Sequence, residues 1–204
     1  DRTMIARVPA AMGAGPTLRS VQSVPRNEAR VSSATHDPCP SNNTATNTLI
    51  DILHGPKAVN RILTENYPGI FCETRIVEKI PMGGRTYRNQ ASAHDYSRFL
   101  YALWKDQLPH ARELRRLMAL PNRDRLYDGV PNIPIGTLVY HKTGTTSRLC
   151  GDFGILAPKG RDGKRYPYTL VAIVEKSSRT RSLSRWINSR GNIIRKVSGM
   201  VFDV

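Results

Sequence analysis

The chain has 204 residues and 39% hydrophobic content, enough for one folded domain, or one domain of two lobes, with a sizeable core. Its 31 Lys and Arg against 16 Asp and Glu give a formal net charge of +15 and a pI near 10.3, a surplus that favours polyanionic partners such as RNA, DNA, acidic headgroups or cell-wall polymers. No apolar run is long enough to span a bilayer, the three cysteines lack paired spacing and the five histidines are scattered, so no membrane span, disulfide framework, metal or cofactor is expected.

Residues 1–40 are poor in large apolar side chains and rich in Pro, Ser, Ala and Arg, which predicts an extended or wrapping basic segment rather than a folded lobe, without clear periodicity until the turn His36-Asp-Pro-Cys-Pro40. Asp1 stands where a methionine would begin an unprocessed chain, and no basic-then-apolar signal follows it, so the sequence reads as a processed or trimmed product. From Ser41 the character changes. Hydroxyls and amides in Ser41-Asn-Asn-Thr-Ala-Thr-Asn47 can cap a short helix carrying Leu49, Ile50, Ile52 and Leu53, and His54-Gly-Pro56 stops it. A second helix runs from Pro56 or Lys57 through Val59, Ile62 and Leu63. After a loop with Pro81, Gly83 and Gly84, Ser92-Ala-His-Asp95 caps a third helix whose apolar face is Tyr96, Phe99, Leu100 and Leu103. A fourth, about Ala111 to Leu120, precedes turns at Asn122-Arg-Asp124 and Asp128-Gly129. Residues 41–136 thus read as a helical lobe.

Residues 137–204 read differently, as an antiparallel sheet with a C-terminal helix. Thr137, Leu138, Val139 and Tyr140 start an extended run that continues His-Lys-Thr-Gly-Thr-Thr146, as expected of an edge strand facing a cleft. Alternation puts Lys142 and Gly144 on one face and Thr143 on the other, and the glycine allows close approach to the backbone. Gly151–Ala157 and Tyr168–Glu175 follow as strands of a meander, joined by the basic turn Pro158-Lys-Gly-Arg-Asp-Gly-Lys-Arg165. Leu183, Trp186, Ile187, Ile194, Val197 and Val201 keep helical spacing within Ser182–Val201, so this helix packs on the sheet. Trp104 and Trp186 are expected in the core, and Tyr166 and Tyr168 are explained by strand alternation.

Ser41-Asn-Asn43 ahead of the first helix, its end at Gly55-Pro56, Asn89-Gln-Ala-Ser-Ala93, and His141-Lys-Thr-Gly144 followed by Asp152-Phe-Gly-Ile155 resemble the second and third motifs of class A β-lactamases and related penicillin-binding serine hydrolases. The resemblance covers roughly residues 41–204. It implies an α/β (α+β), β-lactamase/transpeptidase-like fold, an antiparallel sheet flanked by helices plus a helical lobe. It also implies roles: Ser41 relays a proton to the leaving group, Asn43 holds the substrate amide, and Lys142 and Thr143, with Gly144 completing their motif, bind the substrate carboxylate.

Two departures limit what is carried over. The family nucleophile is a serine with a lysine one helical turn later, and no serine of this chain has lysine at that offset. The N-terminal strands and the central nucleophile helix are therefore expected to be missing, and apolar surface to need a cover. Matching Thr74-Arg75 and Pro81 to the family's loop also puts Ile80 where a glutamate activates water, with Glu78 two residues short. An isoleucine cannot take a proton.

The resemblance and the charge together suggest a non-catalytic subunit of a larger, RNA-containing assembly, in an organelle matrix such as the mitochondrion. Eleven Lys and Arg against Asp162 and Glu175 over residues 159–196 make the basic face C-terminal, and Lys159, Arg161, Lys164, Arg165, Arg179, Arg181, Arg185, Arg190, Arg195 and Lys196 are the phosphate-binding candidates. The alternative is a fragment of a hydrolase of the bacterial periplasm or cell surface, acting on D-alanyl peptides or β-lactams, whose nucleophile lies elsewhere.

Overall fold

A computed structural model describes residues 2–9, 42–81, 88–121 and 123–203. Ser41, Cys39, Gly83, Gly84 and Asn122 lie outside them.

The elements in order are β1 (Arg2–Pro9), α1 (Asn43–Ile52), α2 (Pro56–Asn66), α3 (Ala93–Trp104), α4 (Ala111–Met118), β2 (Leu138–Thr145), β3 (Leu149–Ala157), β4 (Tyr168–Glu175) and α5 (Leu183–Phe202). The strands form one antiparallel sheet in the order β1-β4-β3-β2. The meander β2-β3-β4 and the edge position of β2 are as the sequence predicts. Residues 2–9, from the segment expected to be extended or wrapping, are an extended strand along the far edge of β4, so one N-terminal strand is present. Its physical reason lies in β4, which is buried from Tyr168 to Val174 and would otherwise carry a row of unpaired backbone groups at that edge.

Strand alternation gives the sheet two apolar faces. Cys150, Leu156, Leu170, Ala172 and Val174 point to α5 and pack on Trp186 and Ile194, while Phe153, Ile155, Val171 and Ile173 pack on Leu100 and Leu103 of α3 with Leu108 and Ala111. The result is a sheet sandwiched between α5 and the α3–α4 pair. Lys176 and Arg190 lie over the buried Trp186 ring at 4.6 and 4.9 Å, so two cations cover the outer side of that core. Gly154 permits the tight β2–β3 pairing, because a methyl group there would lie 2.5 Å from the Tyr140 carbonyl oxygen.

The first two helices are attached differently. Asn42 caps α1, its Oδ1 accepting from the Ala45 N–H at 3.1 Å. Of the apolar residues expected to form one face, Ile50 alone is buried, while Leu49, Ile52 and Leu53 are 60%, 64% and 41% exposed. Among the described residues nothing covers these three side chains. What ties α1 and α2 to the rest is polar: the Asn47 amide bonds both N–H and C=O of Ile80, Asn60 does the same to Ile76, and the Asn89 Oδ1 accepts from Val77 and Glu78 while its amide donates to the Glu78 carbonyl. Residues 72–81 are thereby pinned without forming a helix or strand of their own.

Candidate functional site

The Lys-Thr-Gly motif occupies the outer strand of the sheet, and the β2–β3 register puts Lys142 opposite Phe153, Thr143 opposite Asp152 and Gly144 opposite Gly151. Lys142 therefore shares the α3 face of the sheet with Phe153, whose ring stacks on Tyr96 at 4.4 Å. Its side chain is half-buried and its Nζ donates to the Thr143 carbonyl at 2.8 Å. Burial lowers the ammonium pKa from the ordinary lysine value; the Asp152 carboxylate raises it in part, and Arg125 lowers it further.

Behind the strand lies a buried polar network. Asp152 is 1% exposed and accepts the Arg125 N–H at 2.7 Å through Oδ2, while its Oδ1 lies 3.1 Å from Nδ1 of buried His141. The Arg125 guanidinium, itself buried, donates to the carbonyls of Gly151 at 2.6 Å and Gly144 at 3.3 Å and to Thr145 Oγ1 at 2.7 Å. Arg125 is placed by the turn before it, in which Asp124 Oδ1 accepts from the N–H groups of Leu126, Tyr127 and Asp128. Each partner answers the desolvation of another, and together they fix the motif strand from its inner side. Two cations and one carboxylate leave this edge net positive, which suits an anionic ligand group. Burial also raises the Cys150 thiol pKa, Arg125 opposing and Asp152 adding to it, so that this cysteine is kept as an unreactive core residue.

The sequence-derived candidates are brought together in part. Lys142, Thr143 and Gly144 form one stretch with Arg125, His141 and Asp152 beneath it. Asn43 is exposed in the first turn of α1, and among the described residues no hydrogen bond joins it to β2. The lone acid in the midst of an otherwise apolar β3 was a readable sign of a buried charge pair at Asp152. Nothing local singled out Arg125, which sits in a run of turn residues.

The loop 72–81 carries the other candidates. The Glu78 carboxylate accepts from the Arg88 N–H and Nε, both at 2.9 Å, and the Ile80 backbone is held by Asn47. Asp95, read as part of a helix cap, has a second use. Ser92 Oγ does cap α3, but the Asp95 carboxylate accepts from Cys72, Glu73 and Thr74 N–H, from Thr74 Oγ1 and from Arg98. Its burial opposes the charge, yet the bonds from the Thr74 hydroxyl and from the backbone of Glu73, Thr74 and Cys72 hold it below the ordinary aspartate range.

The basic candidates divide. Lys159, Arg161 and Lys164 stand exposed in the β3–β4 hairpin, Arg179 and Arg181 in the connection to α5, and Arg185 and Lys196 on α5 itself. The other three serve the fold: Arg165 donates to the Gly136 and Ala157 carbonyls, Arg190 stacks on Trp186, and Arg195 donates to the carbonyls of Asp128 and Asp124. Among the described residues no group of His, Cys, Asp and Glu could hold a metal ion, and no helix is long and apolar enough to cross a membrane.

A protein-family model described as the beta-lactamase enzyme family matches residues 38–202. Among solved structures, PBP-A is 26% identical with a TM-score of 0.61, over 81% of this chain and 57% of that one. A variant of PBP-A, in an acyl-enzyme complex with penicillin G, is 25% identical with a TM-score of 0.58 over the same shares. An ancestral class A β-lactamase, 22% identical over 79% of this chain and 60% of that one, has a TM-score of 0.60 and speaks for the fold alone. The chain thus spans 57–60% of the length of these structures. No curated protein matches it.

Proposed function

Because the chain belongs to the beta-lactamase enzyme family, we propose that it is a non-catalytic member that recognises a carboxylate-bearing D-alanyl peptide or β-lactam along β2 and does not itself become acylated. The observation that carries this reading is half-buried Lys142 on an open sheet edge, braced by Arg125, Asp152 and His141. A desolvated ammonium beside a free strand edge offers one charge-assisted hydrogen bond and a row of backbone groups to an extended acyl ligand. The chemistry stops at binding because no serine of the chain has a lysine three residues on, and Ile80 stands where the resemblance asks for a general base. The acyl-enzyme complex is that of the PBP-A variant, of whose length this chain covers 57%.

Calorimetric titration with benzylpenicillin is expected to give saturable binding that Lys142→Ala weakens by about tenfold or more, as removal of one charge-assisted hydrogen bond should. Intact-mass analysis after incubation with a fluorescent penicillin should show no adduct. A stable adduct would overturn the non-catalytic reading and favour a hydrolase fragment; unchanged affinity in Lys142→Ala would remove β2 as the recognition edge.

A second reading is favoured by the exposed cations of the β3–β4 hairpin and the α5 approach, which suit a polyanionic neighbour such as RNA in a larger assembly. Under it, replacing Arg179, Arg181 and Arg185 by glutamine lowers the salt dependence of RNA binding by about one unit of slope for each phosphate no longer neutralised. RNA affinity that does not respond to these changes or to salt would discard it.

A further inference from the structure

We propose that one flank of α3 is a binding site for a medium-chain carboxylate amphiphile, separate from the Lys142 edge. A cavity of about 390 Å³ opens between α3 and the segment after α2, lined by Ile70, His94, Ser97, Arg98, Tyr101 and Ala102. Its volume is at the small end of the range of ligand pockets, about 300–1,000 Å³, so it admits a small molecule or one aliphatic tail.

Helix geometry places it. At about 100° per residue, positions 94, 97, 98, 101 and 102 share one side of α3, while Tyr96, Leu100 and Leu103, which pack on the sheet, share the other. The cavity is therefore built beside the sheet-facing side of α3, and buried Ala102 is shared between its lining and the core against the sheet.

Two features of the lining point to a ligand. The Ser97 hydroxyl is in a residue only 3% exposed and has no hydrogen-bond partner among the described residues, although a helix serine can usually satisfy itself on the carbonyl one turn back. A buried orphan of this kind is costly unless something supplies a partner. Arg98 then provides charge. It makes a single long bond of 3.3 Å to Asp95, whose carboxylate already accepts four other hydrogen bonds, and its side chain is 46% exposed. Arg98 makes one end of the rim cationic, with His94 one turn earlier on the same ridge, and the remaining lining is mostly apolar, with the polar ends of Ser97, Tyr101 and Gln107 set into it. An aliphatic tail against Ile70, Tyr101 and Ala102, with a carboxylate that pairs with Arg98 and accepts from the neighbouring Ser97 hydroxyl, matches that distribution.

Decanoate and decanol, titrated calorimetrically into the full chain, test the assignment. Both are expected to bind saturably, decanoate more tightly. Arg98→Gln should weaken decanoate about tenfold and leave decanol unchanged. Ala102→Trp should fill the cavity and abolish both; Ile70→Trp, a change at the partly exposed rim, does the same should the helix variant fail to fold, with circular dichroism and the melting midpoint checking the fold of each. Absence of saturable binding, or binding that survives a folded filling variant, overturns the proposal. Equal losses of decanoate and decanol in Arg98→Gln overturn the carboxylate assignment.

Discussion

Asp95→Asn is expected to unfold the chain about 6–12 °C below wild type, which corresponds to about 3 kcal/mol for a protein of this size. The carboxylate collects hydrogen bonds from three consecutive backbone N–H groups and the Thr74 hydroxyl while 1% exposed. An amide of the same shape keeps one acceptor and turns an NH₂ toward the remaining donors. Each buried donor left without an acceptor costs about 1–3 kcal/mol. The charge gives the effect a pH signature. The folded pKa of Asp95 lies below its ordinary 3.8, so its contribution is fully present above that value and is lost as the pH falls through the lower folded value. The gap between wild type and variant should therefore be widest near neutrality and narrow in strong acid. Equal melting midpoints at neutral pH would show that the loop 72–81 is held by its asparagine hydrogen bonds alone.

The second large effect is expected at Asp152. Removing this carboxylate in Asp152→Ala leaves the buried Arg125 backbone N–H and the His141 ring without their partner, at a cost of about 1–3 kcal/mol for each buried group left unsatisfied. Asp152→Asn keeps the shape and isolates the charge. Because Asp152 is the group that raises the Lys142 pKa against burial, its neutralisation should lower that pKa further, a change read from the Lys142 ε-carbon shift during an NMR titration. The sign of the linkage follows. A lysine whose folded pKa is depressed penalises the fold while it is protonated, so stability rises as the pH climbs from the folded value toward the unfolded one, and the variant should begin that rise at lower pH. A Lys142 pKa that moves upward in Asp152→Asn would show that the two residues are not coupled through the strand as described.

Most of the scaffold was readable because its signals are local. Helices α2 to α5 and the meander announce themselves through apolar periodicity, caps and turn residues, and Lys142, Thr143 and Gly144 sit in an extended run that belongs on a strand edge. What escaped depends on distant parts of the chain. Residues 2–9 carry arginines and no turn signal, and their pairing is dictated by β4. Arg125 looks like a solvated charge among turn residues until Gly144, Gly151 and Asp152 surround it. Arg165 and Arg195 count toward a basic patch in composition, whereas in space they serve backbone carbonyls near the sheet and at the Asp124 turn. The same long side chain can hold a fold or greet a polyanion, and spacing along the chain does not tell these apart.

The order in which the sheet's strands occur in the chain bears on how it is assembled. β2, β3 and β4 are consecutive and joined by short turns, so they can associate soon after hydrophobic collapse, whereas β1 must return from the other end of the chain to align Arg2 with Glu175 and Pro9 with Tyr168. Until it does, the most apolar strand of the protein is an open edge of seven buried-type residues, Tyr168 to Val174, with nothing charged before Glu175. Such an edge is a template for pairing with a like strand of another molecule. Pairing with β1, as long as β4 itself, closes that edge, so refolding of a chain lacking residues 2–9 is expected to give more aggregate than the full chain, as light scattering would read.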